Sequence, residues 1–248
     1  MQEIGYDYIV TGHYARVEYD EKRDRYLLKK AVDDTKDQSY VLYMLTQEQL
    51  AHVKLPLGGL RKDQVRVIAE KHGFINARKH DSQDICFVPD GDYAKFIEKY
   101  TGKKTPEGDF VDKEGNYIGR HKGIIHYTIG QRRGLGIPAA SRLYVCEISP
   151  KTNTVVLGDN ADLFSSELEA ESVNLISVDS LAEPKRVTAK IRYRHKEQPA
   201  TAWQTPDGIL HVKFDEPQRA ITKGQAVVMY DGDEVVGGGV INKIYSQS

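Results

Sequence analysis

The feature that most limits how this chain can fold is the series of short β-rich segments that follows residue 142. The segments are rich in valine, isoleucine and aromatic residues, and turn-forming residues separate them. Short strands at such spacing are typical of a small antiparallel barrel or sandwich. We therefore predict a C-terminal antiparallel β-barrel over residues 141–248. In chain order the segments are LYVCEIS, TVVLG, VNLIS, VTAKIRYRH, TAWQT, ILHVKF, AVVMYD and EVVGGGVINKI.

The first residues of the chain combine strands with a helix. Residues 8–10 (YIV) predict a short buried strand, and residues 25–29 (RYLLK) predict a second strand. Thr46 and Gln49 have the spacing of a capping box, in which two side chains close the first turn of a helix. This mixture indicates part of an α/β domain, which we assign to residues 1–52.

Two helices are predicted in the middle of the chain. Residues 62–72 place apolar side chains at helical spacing, and Gly73 follows as a C-terminal stop. Residues 92–101 repeat this pattern and end at Gly102. From residue 103 onward, turn-forming residues dominate. We expect a small mixed central domain over residues 53–140, so that the predicted fold class is α/β plus β.

Composition excludes several classes of protein. The chain has 35 basic and 36 acidic residues, a formal net charge of −1, whereas proteins that coat nucleic acids are strongly basic. No apolar run reaches the roughly eighteen residues of a membrane span, and no secretory signal precedes the first strand. Cys86 and Cys146 form no CxxC pair, which argues against a zinc cluster and a disulfide framework. We expect a cytoplasmic protein without a metal or a membrane partner.

Basic residues nevertheless cluster locally. In KIRYRHK the cations recur at every second position, so a strand would carry them on one face. Such a row suits phosphate binding, and it equally suits a solvated edge that discourages aggregation. The cations of this row are Lys190, Arg192, Arg194 and Lys196, and further clusters are Arg78-Lys79-His80, Arg120-His121-Lys122 and Arg132-Arg133.

Two glycine-rich stretches predict close backbone approach. IHYTIGQRRGLGIP, at residues 125–138, combines three glycines with two arginines, which fits either a phosphate or RNA contact or an exposed turn between domains. It matches no P-loop and no dinucleotide-binding pattern. The glycines at residues 237–239 lie within a β-rich run, so we expect a bulge or a close contact between strands there.

The two cysteines have different surroundings. Cys86 lies in DSQDICFVPDG, where neighbouring cations would favour a reactive thiolate and Asp81 and Asp84 would oppose it. Because Ile85 and Phe87 flank it, a buried packing role also fits Cys86. Cys146 lies within the predicted strand LYVCEIS and is expected to fill the core.

Five motifs, in this order, resemble those of tRNA-specific 2-thiouridylases. They span most of the chain, and their order makes the resemblance specific although none of them would suffice alone. The motifs are TGHYAR at 11–16, KDQSYVLY at 36–43, DSQDICF at 81–87, HYTIGQRRGLGI at 126–137 and KIRYRH at 190–195.

The resemblance implies an ATP-dependent sulfur transfer from a cysteine persulfide to C2 of the wobble uridine in tRNA. In this family an N-terminal domain of the PP-loop ATP pyrophosphatase type binds ATP (with Mg²⁺) and adenylates the C2 oxygen. The resemblance assigns the persulfide to Cys86 and the vicinity of ATP to Gly12. It also implies a sulfur donor, such as a cysteine desulfurase or a sulfur-relay protein. The implied tRNA contacts are His13, Lys36, Asp37, Gln38, Arg192, Tyr193 and Gln225.

The chain departs from the family in one respect. It lacks the Ser-Gly-Gly-x-Asp-Ser phosphate loop and the nucleophilic cysteine of the N-terminal domain, and Cys146 does not match that cysteine. We therefore expect residues 1–52 to be the C-terminal remnant of the Rossmann-like PP-loop domain. A fragment of this kind would be inactive alone, would bind no ATP tightly and would expose apolar surface at residues 4–10 and 39–50. A stand-alone RNA-binding module and a sulfur carrier without an RNA role are the alternatives.

Overall fold

Two structural units account for the residues that the computed structural model describes, which are 5–75, 77, 88, 91–138 and 142–245. The described part of Met1–Lys79 belongs to the first unit, together with Ser166–Pro217 and Thr222–Tyr245. The described part of His80–Ser165 and the short segment Gln218–Ile221 form the second unit. The three-domain division predicted from the sequence stays a prediction.

Fourteen strands and four helices have the following bounds in the described part of the chain. The strands are β1 (Ile9–Val10), β2 (Ala15–Asp20), β3 (Arg25–Lys30), β4 (Val53–Lys54), β5 (Gly108–Val111), β6 (Tyr117–His121), β7 (Tyr144–Ser149), β8 (Thr154–Gly158), β9 (Phe164–Leu175), β10 (Lys185–Lys190), β11 (Gln198–Gln204), β12 (Leu210–Arg219), β13 (Ala226–Asp231) and β14 (Glu234–Tyr245). The helices are α1 (Ser39–Leu42), α2 (Gln47–Ala51), α3 (Lys62–Lys71) and α4 (Tyr93–Thr101).

Six strands close into a barrel in the first unit. Their order is β13-β10-β11-β12-β9-β14, and pairing between β13 and β14 completes the circle. Small and large side chains alternate across its interior: Ala200 on β11 lies opposite Phe214 on β12, and Ala202 lies opposite Val212. All four are almost completely buried, as expected for the inward face of a small barrel. The predicted antiparallel barrel is confirmed.

The glycines at 237–239 allow a close approach of strands, as predicted. A Cβ atom on Gly238 would lie 2.5 Å from the carbonyl oxygen of Val227 and 2.7 Å from the ring of Tyr43. The register of β14 also shifts near these glycines, which is a sign of a bulge. Any side chain here would push β14 away from the strand and the helical segment that it contacts.

The N-terminal segment packs against the barrel within the first unit. Strand β3 pairs with β14 at Lys29 and Glu234, and the hairpin of β2 and β3 thereby extends the sheet. Side chains from both parts share one core, which includes Leu28, Tyr43, Val228 and Tyr230. The predicted capping box of Thr46 and Gln49 begins α2.

Strand β1 differs from its prediction. It was expected to be buried, but Ile9 is 49% exposed and Val10 is 64% exposed. The reason is that β1 pairs only with β4, in parallel, and this two-stranded sheet has no third strand among the described residues. The expected apolar surface at residues 4–10 is therefore confirmed from residue 6 onward. Within residues 39–50 it is confirmed only at positions such as Val41 and Met44, because Tyr40, Tyr43 and Leu50 are buried.

The second unit is built on a four-stranded sheet in the order β6-β5-β8-β7. Strands β5 and β8 pair in parallel, whereas the two outer pairs are antiparallel. Its core contains Phe110, Tyr127, Val145, Val155 and Leu157. Strands β7 and β8 thus lie in this sheet and not in the barrel.

The two helices predicted for the middle of the chain are present. Helix α3 is followed by Gly73 with φ of +71°, and α4 ends at Gly102 with φ of +67°, the left-handed conformation that stops a helix. Helix α4 begins at Asp92, whose carboxylate accepts a hydrogen bond from the backbone N–H of Lys95 at 3.0 Å. In the part of the chain that the structure describes, no helix is long and apolar enough to cross a membrane.

Candidate nucleic-acid interface

The predicted strand that carries the basic residues is confirmed only as far as Lys190, and residues 191–196 form a loop instead. Strand β10 ends at Lys190, and Ala189 already pairs with Gln198 on β11, so the intervening residues form a hairpin connection. The backbone N–H of His195 donates to the carbonyl of Arg192 at 3.0 Å, which closes a turn. We call residues 191–196 the basic loop. Its cations are presented by a turn and not by one face of a strand.

The cations of this segment differ in their exposure. The ammonium group of Lys190 lies 5.5 Å from the ring centre of buried Tyr230, so this cation points toward the barrel core. Arg192 is half-buried, whereas Arg194 and Lys196 are exposed. The surface of the loop therefore carries its positive charge at 192–196 and not along the whole predicted row.

The basic loop contacts the segment at 36–38, which carries three of the predicted tRNA contacts. The hydroxyl of Tyr193 donates to the backbone carbonyl of Asp37 at 3.3 Å, across 156 positions of sequence. The rings of Tyr193 and Tyr40 lie 6.0 Å apart. The structure thus brings Asp37 and Tyr193 together, although the sequence separates them widely.

Asp37 organises the loop that contains it. Its carboxylate accepts hydrogen bonds from the backbone N–H of Ala31 at 2.9 Å and from the hydroxyl of Ser39 at 2.7 Å. A third, longer bond of 3.3 Å comes from the N–H of Ser39. Because both carboxylate oxygens are occupied, this side chain fixes the backbone around Lys36 and the start of α1.

Gln38 joins the same loop to the predicted site at 12–13. Its side-chain carbonyl accepts from the N–H of Tyr14 at 2.9 Å, and its own N–H donates to the carbonyl of Tyr14 at 2.8 Å. His13 is the preceding residue, and its Nδ1 shares a hydrogen bond of 2.9 Å with the hydroxyl of Thr11. His13 and the loop at 36–38 are therefore held at a fixed separation.

Gln225 lies on the same unit in the connection between β12 and β13. Its side chain is exposed, while its carbonyl accepts from the N–H of Ile241 at 2.8 Å. The next residue, Ala226, accepts a hydrogen bond of 2.9 Å from the hydroxyl of Tyr40. Burial raises the pKa of Tyr40 to about 12, so its hydroxyl stays protonated and remains a donor. Gln225 is thus linked to the cluster of Tyr40 and Tyr193.

Sequence reasoning missed one residue that holds the basic loop in place. The carboxylate of Glu197 accepts from the hydroxyl of Thr188 at 2.7 Å and from the ammonium group of Lys30 at 2.8 Å. Lys30 also donates to the carbonyl of Gly232 at 2.7 Å. We call Lys30, Thr188 and Glu197 the clasp. The clasp connects the end of the basic loop to β10 and to β3. In the sequence, the only sign of the clasp is that the acidic residue Glu197 directly follows a basic run.

His195 lies among the cations of the loop. Desolvation lowers its pKa, and the charges of Arg192 and Lys190 lower it further. Its Nδ1 atom is buried and has no hydrogen-bond partner among the described residues. Burial and the two neighbouring charges thus both disfavour a proton on this imidazole.

Gly12 lies in the connection between β1 and β2, and its predicted position near ATP stays a prediction. Gly12 is exposed, and a Cβ atom placed on it would make only an ordinary contact of 3.6 Å with the side chain of Leu57. A phosphate cradle needs several backbone N–H groups in a glycine-rich turn, which the sequence lacks here. Within the described ranges, no group of His, Cys, Asp or Glu side chains could hold a metal ion.

The two cysteines stand apart in the structure. Cys86, the predicted persulfide, lies outside the described residues, as do its charged neighbours Arg78, Asp81 and Asp84. Cys146 is half-buried on β7, and burial followed by the charge of Asp162 raises its pKa to about 11. Its thiol is thus protonated at neutral pH, which agrees with the packing role expected for it.

Comparisons with known proteins cover nearly the whole chain. Residues 1–90 match the tRNA methyl transferase HUP domain, residues 94–159 match the tRNA methyl transferase PRC-barrel domain, and residues 165–241 match the aminomethyltransferase beta-barrel domain. These three matches follow one another without overlap. They agree with an α/β segment, a small central β-domain and a C-terminal barrel.

Curated relatives resemble the chain throughout. It is 57% identical to the tRNA-specific 2-thiouridylase MnmA of Clostridioides difficile (strain 630), over 98% of this chain and 67% of that protein. It is 56% identical to the tRNA-specific 2-thiouridylase MnmA of Acetivibrio thermocellus, over 96% of this chain and 66% of that protein. The chain thus spans about two thirds of the length of these relatives. On this identity and coverage, the chain belongs to the tRNA-specific 2-thiouridylase family.

Proposed function

We propose that this protein acts in the 2-thiolation of tRNA, in which it binds the anticodon region and carries the sulfur on Cys86. The relatives are named tRNA-specific 2-thiouridylases, and they match nearly the whole chain. The observation that carries the proposal is the contact between Tyr193 and Asp37, which joins two predicted tRNA-binding segments from distant parts of the sequence. His13, Gln38 and Gln225 lie in the same unit and are hydrogen-bonded to this cluster or lie next to a residue that is.

The proposed chemistry transfers one sulfur atom. The terminal sulfur of a Cys86 persulfide forms a bond to C2 of a wobble uridine whose C2 oxygen has been adenylated, and that oxygen departs as part of AMP. A second cysteine thiol, which corresponds to the family's N-terminal cysteine and is not among these 248 residues, attacks the inner sulfur as the S–S bond breaks. The two cysteines end as a disulfide, and the transferred sulfur is reduced. We propose a cysteine desulfurase or a sulfur-relay protein as the donor that restores the persulfide.

The 248 residues provide only part of this chemistry. The phosphate loop through which ATP would activate the C2 oxygen is absent from the sequence. We therefore propose that a polypeptide of these 248 residues binds tRNA and accepts sulfur but forms no 2-thiouridine unaided. Formation of 2-thiouridine by this polypeptide from tRNA, ATP and sulfide would contradict that statement.

Binding of tRNA tests the first half of the proposal. We expect the chain to bind a tRNA that has uridine at the wobble position, with an affinity that falls as salt rises. Arg192→Ala should weaken binding about tenfold, because a charge-assisted contact to phosphate or base is lost. Arg186→Ala is the matched control, since Arg186 is exposed on the same barrel and forms two hydrogen bonds of 2.7 Å with Asp215. Equal affinities of both variants, measured by fluorescence anisotropy, would argue against the interface.

Sulfur loading tests the second half. After incubation with a cysteine desulfurase and cysteine, we expect mass spectrometry of alkylated peptides to find a persulfide on Cys86. Cys146 should remain unmodified, because a thiol with its pKa raised to about 11 is a poor nucleophile at neutral pH. The variants Cys86→Ser and Cys146→Ser separate the two positions. A persulfide that still forms in Cys86→Ser would show that a thiol other than Cys86 carries the sulfur, which would contradict the proposal.

The same two assays distinguish the alternatives. A stand-alone RNA-binding module would bind tRNA but take up no sulfur, and a sulfur carrier would do the reverse. Two of the matching families are described by the words tRNA methyl transferase, so the tRNA recovered after reaction with the complete enzyme should be digested to nucleosides. Mass spectrometry then separates replacement of oxygen by sulfur from addition of a methyl group.

A further inference from the structure

The Gly- and Arg-rich segment at 125–138 is a firmly anchored loop of the second unit. The ring of Tyr127 is buried and meets Phe110 edge-on at 5.1 Å. The N–H of Gly130 donates to the carbonyl of Val145 at 2.8 Å. The amide of Gln131 accepts from the N–H of Thr128 at 3.0 Å and donates to the carbonyl of Arg133 at 2.9 Å. The backbone that carries the two adjacent arginines therefore has a defined conformation.

The loop presents its apolar and its charged side chains in different directions. Leu135 and Ile137 pack against the core of the second unit, whereas Arg132 and Arg133 are exposed. An open groove of about 490 Å³ follows the loop. Its lining includes Arg132 on the loop and Arg142 on the segment that leads into β7, with Gly134, Leu135, Gly136, Ile137, Pro138 and Leu143 between them.

The glycines leave the groove accessible to a ligand. Gly134 and Gly136 have φ of +76° and +70°, a conformation that residues with side chains rarely adopt. A Cβ atom on Gly136 would meet nothing within 4 Å, so the backbone faces open space. A bulky ligand can therefore approach the main chain directly between the two arginines.

The arginines of this groove have no acidic partner in the described part of the chain. No ion pair joins Arg132, Arg133 or Arg142 to a carboxylate there. Arg120, in the same unit, differs, because it lies 2.8 Å from Asp109 and 3.8 Å from Glu107. Guanidinium groups without carboxylate partners suit phosphate oxygens, which they bind through paired N–H groups.

We propose that this groove is a second RNA-backbone site, in which a phosphodiester of the bound tRNA lies between Arg132 and Arg142. The inference rests on the proposed function, since it assumes that tRNA is the ligand. An RNA strand suits an open, glycine-lined groove flanked by two cations, because its phosphates are regularly spaced along an exposed backbone. Such a contact would orient the tRNA without recognising its bases. Its contribution to affinity should therefore be the same for every tRNA sequence.

The test compares the double variant R132A/R142A with R120A in the 248-residue chain. Binding of a tRNA with wobble uridine is measured by fluorescence anisotropy over a range of salt concentrations. We expect the double variant to bind at least about tenfold more weakly and its salt slope to fall by about one to two. The variant R120A should bind like the unchanged chain, because that arginine is already paired. The variant R132K/R142K should restore the salt slope, since charge alone determines counterion release.

Each possible result decides the question. Equal binding by R132A/R142A and R120A, with R192A weaker than both, would overturn the groove and leave the proposed function standing. Absence of tRNA binding by the unchanged chain would overturn the proposed function itself. An equal loss of affinity for polyglutamate and for tRNA would show that the groove attracts any polyanion, which would overturn a site for the RNA backbone. Matching thermal unfolding temperatures for both variants establish that the fold is intact.

Discussion

At the scale of single residues, the basic loop keeps one titratable group uncharged. His195 lies beside Arg192 and Lys190, and a proton on its ring would add a third charge to a partly desolvated place. The pKa of His195 is lowered for this reason. The sequence shows a histidine between cations, but only the structure shows that its Nδ1 is buried without a hydrogen-bond partner among the described residues.

We expect the free energy of unfolding to fall as the pH drops below about 6.5, the ordinary pKa of histidine. Because the pKa of His195 is lowered in the folded state, the unfolded chain binds the proton first and gains stability from it. The variant His195→Gln lacks this proton-binding site and should lose less stability over the same range. Urea unfolding at pH values above and below that range measures the difference. Parallel pH profiles for both proteins would refute the expected effect.

At the scale of elements, the sequence predicted most strands and helices but misassigned the segment that carries the cations. Alternation of charged and other residues in KIRYRHK is typical of a strand, and nothing local marks the end of β10 at Lys190. That end is fixed by the pairing of Ala189 with Gln198, a contact that depends on the partner strand. The ends of the helices could be predicted better than the end of β10. Gly73 and Gly102 end helices because glycine itself adopts the left-handed conformation, and this property can be read from the sequence.

The clasp gives the second prediction. Glu197→Ala removes the partner of half-buried Lys30 and of the Thr188 hydroxyl, at a cost of about 1 to 3 kcal/mol in unfolding free energy. The freed basic loop should exchange its amide hydrogens faster and bind tRNA more weakly. Glu197→Gln keeps an oxygen acceptor and should show a smaller effect on both. Asp215→Ala, which breaks an exposed pair with Arg186, is the control. Unchanged exchange in the loop of Glu197→Ala would rule out a positioning role.

At the scale of the whole molecule, strands that follow one another in the sequence do not all lie in the same sheet. The run of strands after residue 142 was expected to form the barrel, but β7 and β8 pair with β5 and β6 in the second unit. The reason is that a strand's own residues fix its pleat and its buried face, whereas its partner depends on long-range contacts. In the same way, only the structure shows that residues from the N-terminal segment and the barrel share one core.

This shared core yields the third prediction. Leu28 lies on β3, is completely buried and belongs to the same cluster as Val228 and Val235 of the barrel. Leu28→Ala should destabilise the protein by about 2 to 5 kcal/mol through lost contacts and a cavity. Hydrogen exchange should accelerate in β13 and β14 as well as in β2 and β3. Acceleration confined to the N-terminal segment would mean that the two parts unfold independently.

The strand that closes the barrel, β14, is also the last strand of the described chain. Because β14 pairs with β9 and β13 and also contacts β3, the ring stays open until the ribosome has released the residues after Glu234. The basic loop, the clasp and the segment at 36–38 are all synthesised earlier, yet they have no finished scaffold until that moment. A chain that ends before Glu234 should therefore lack the closed barrel and hold the basic loop and the segment at 36–38 less firmly.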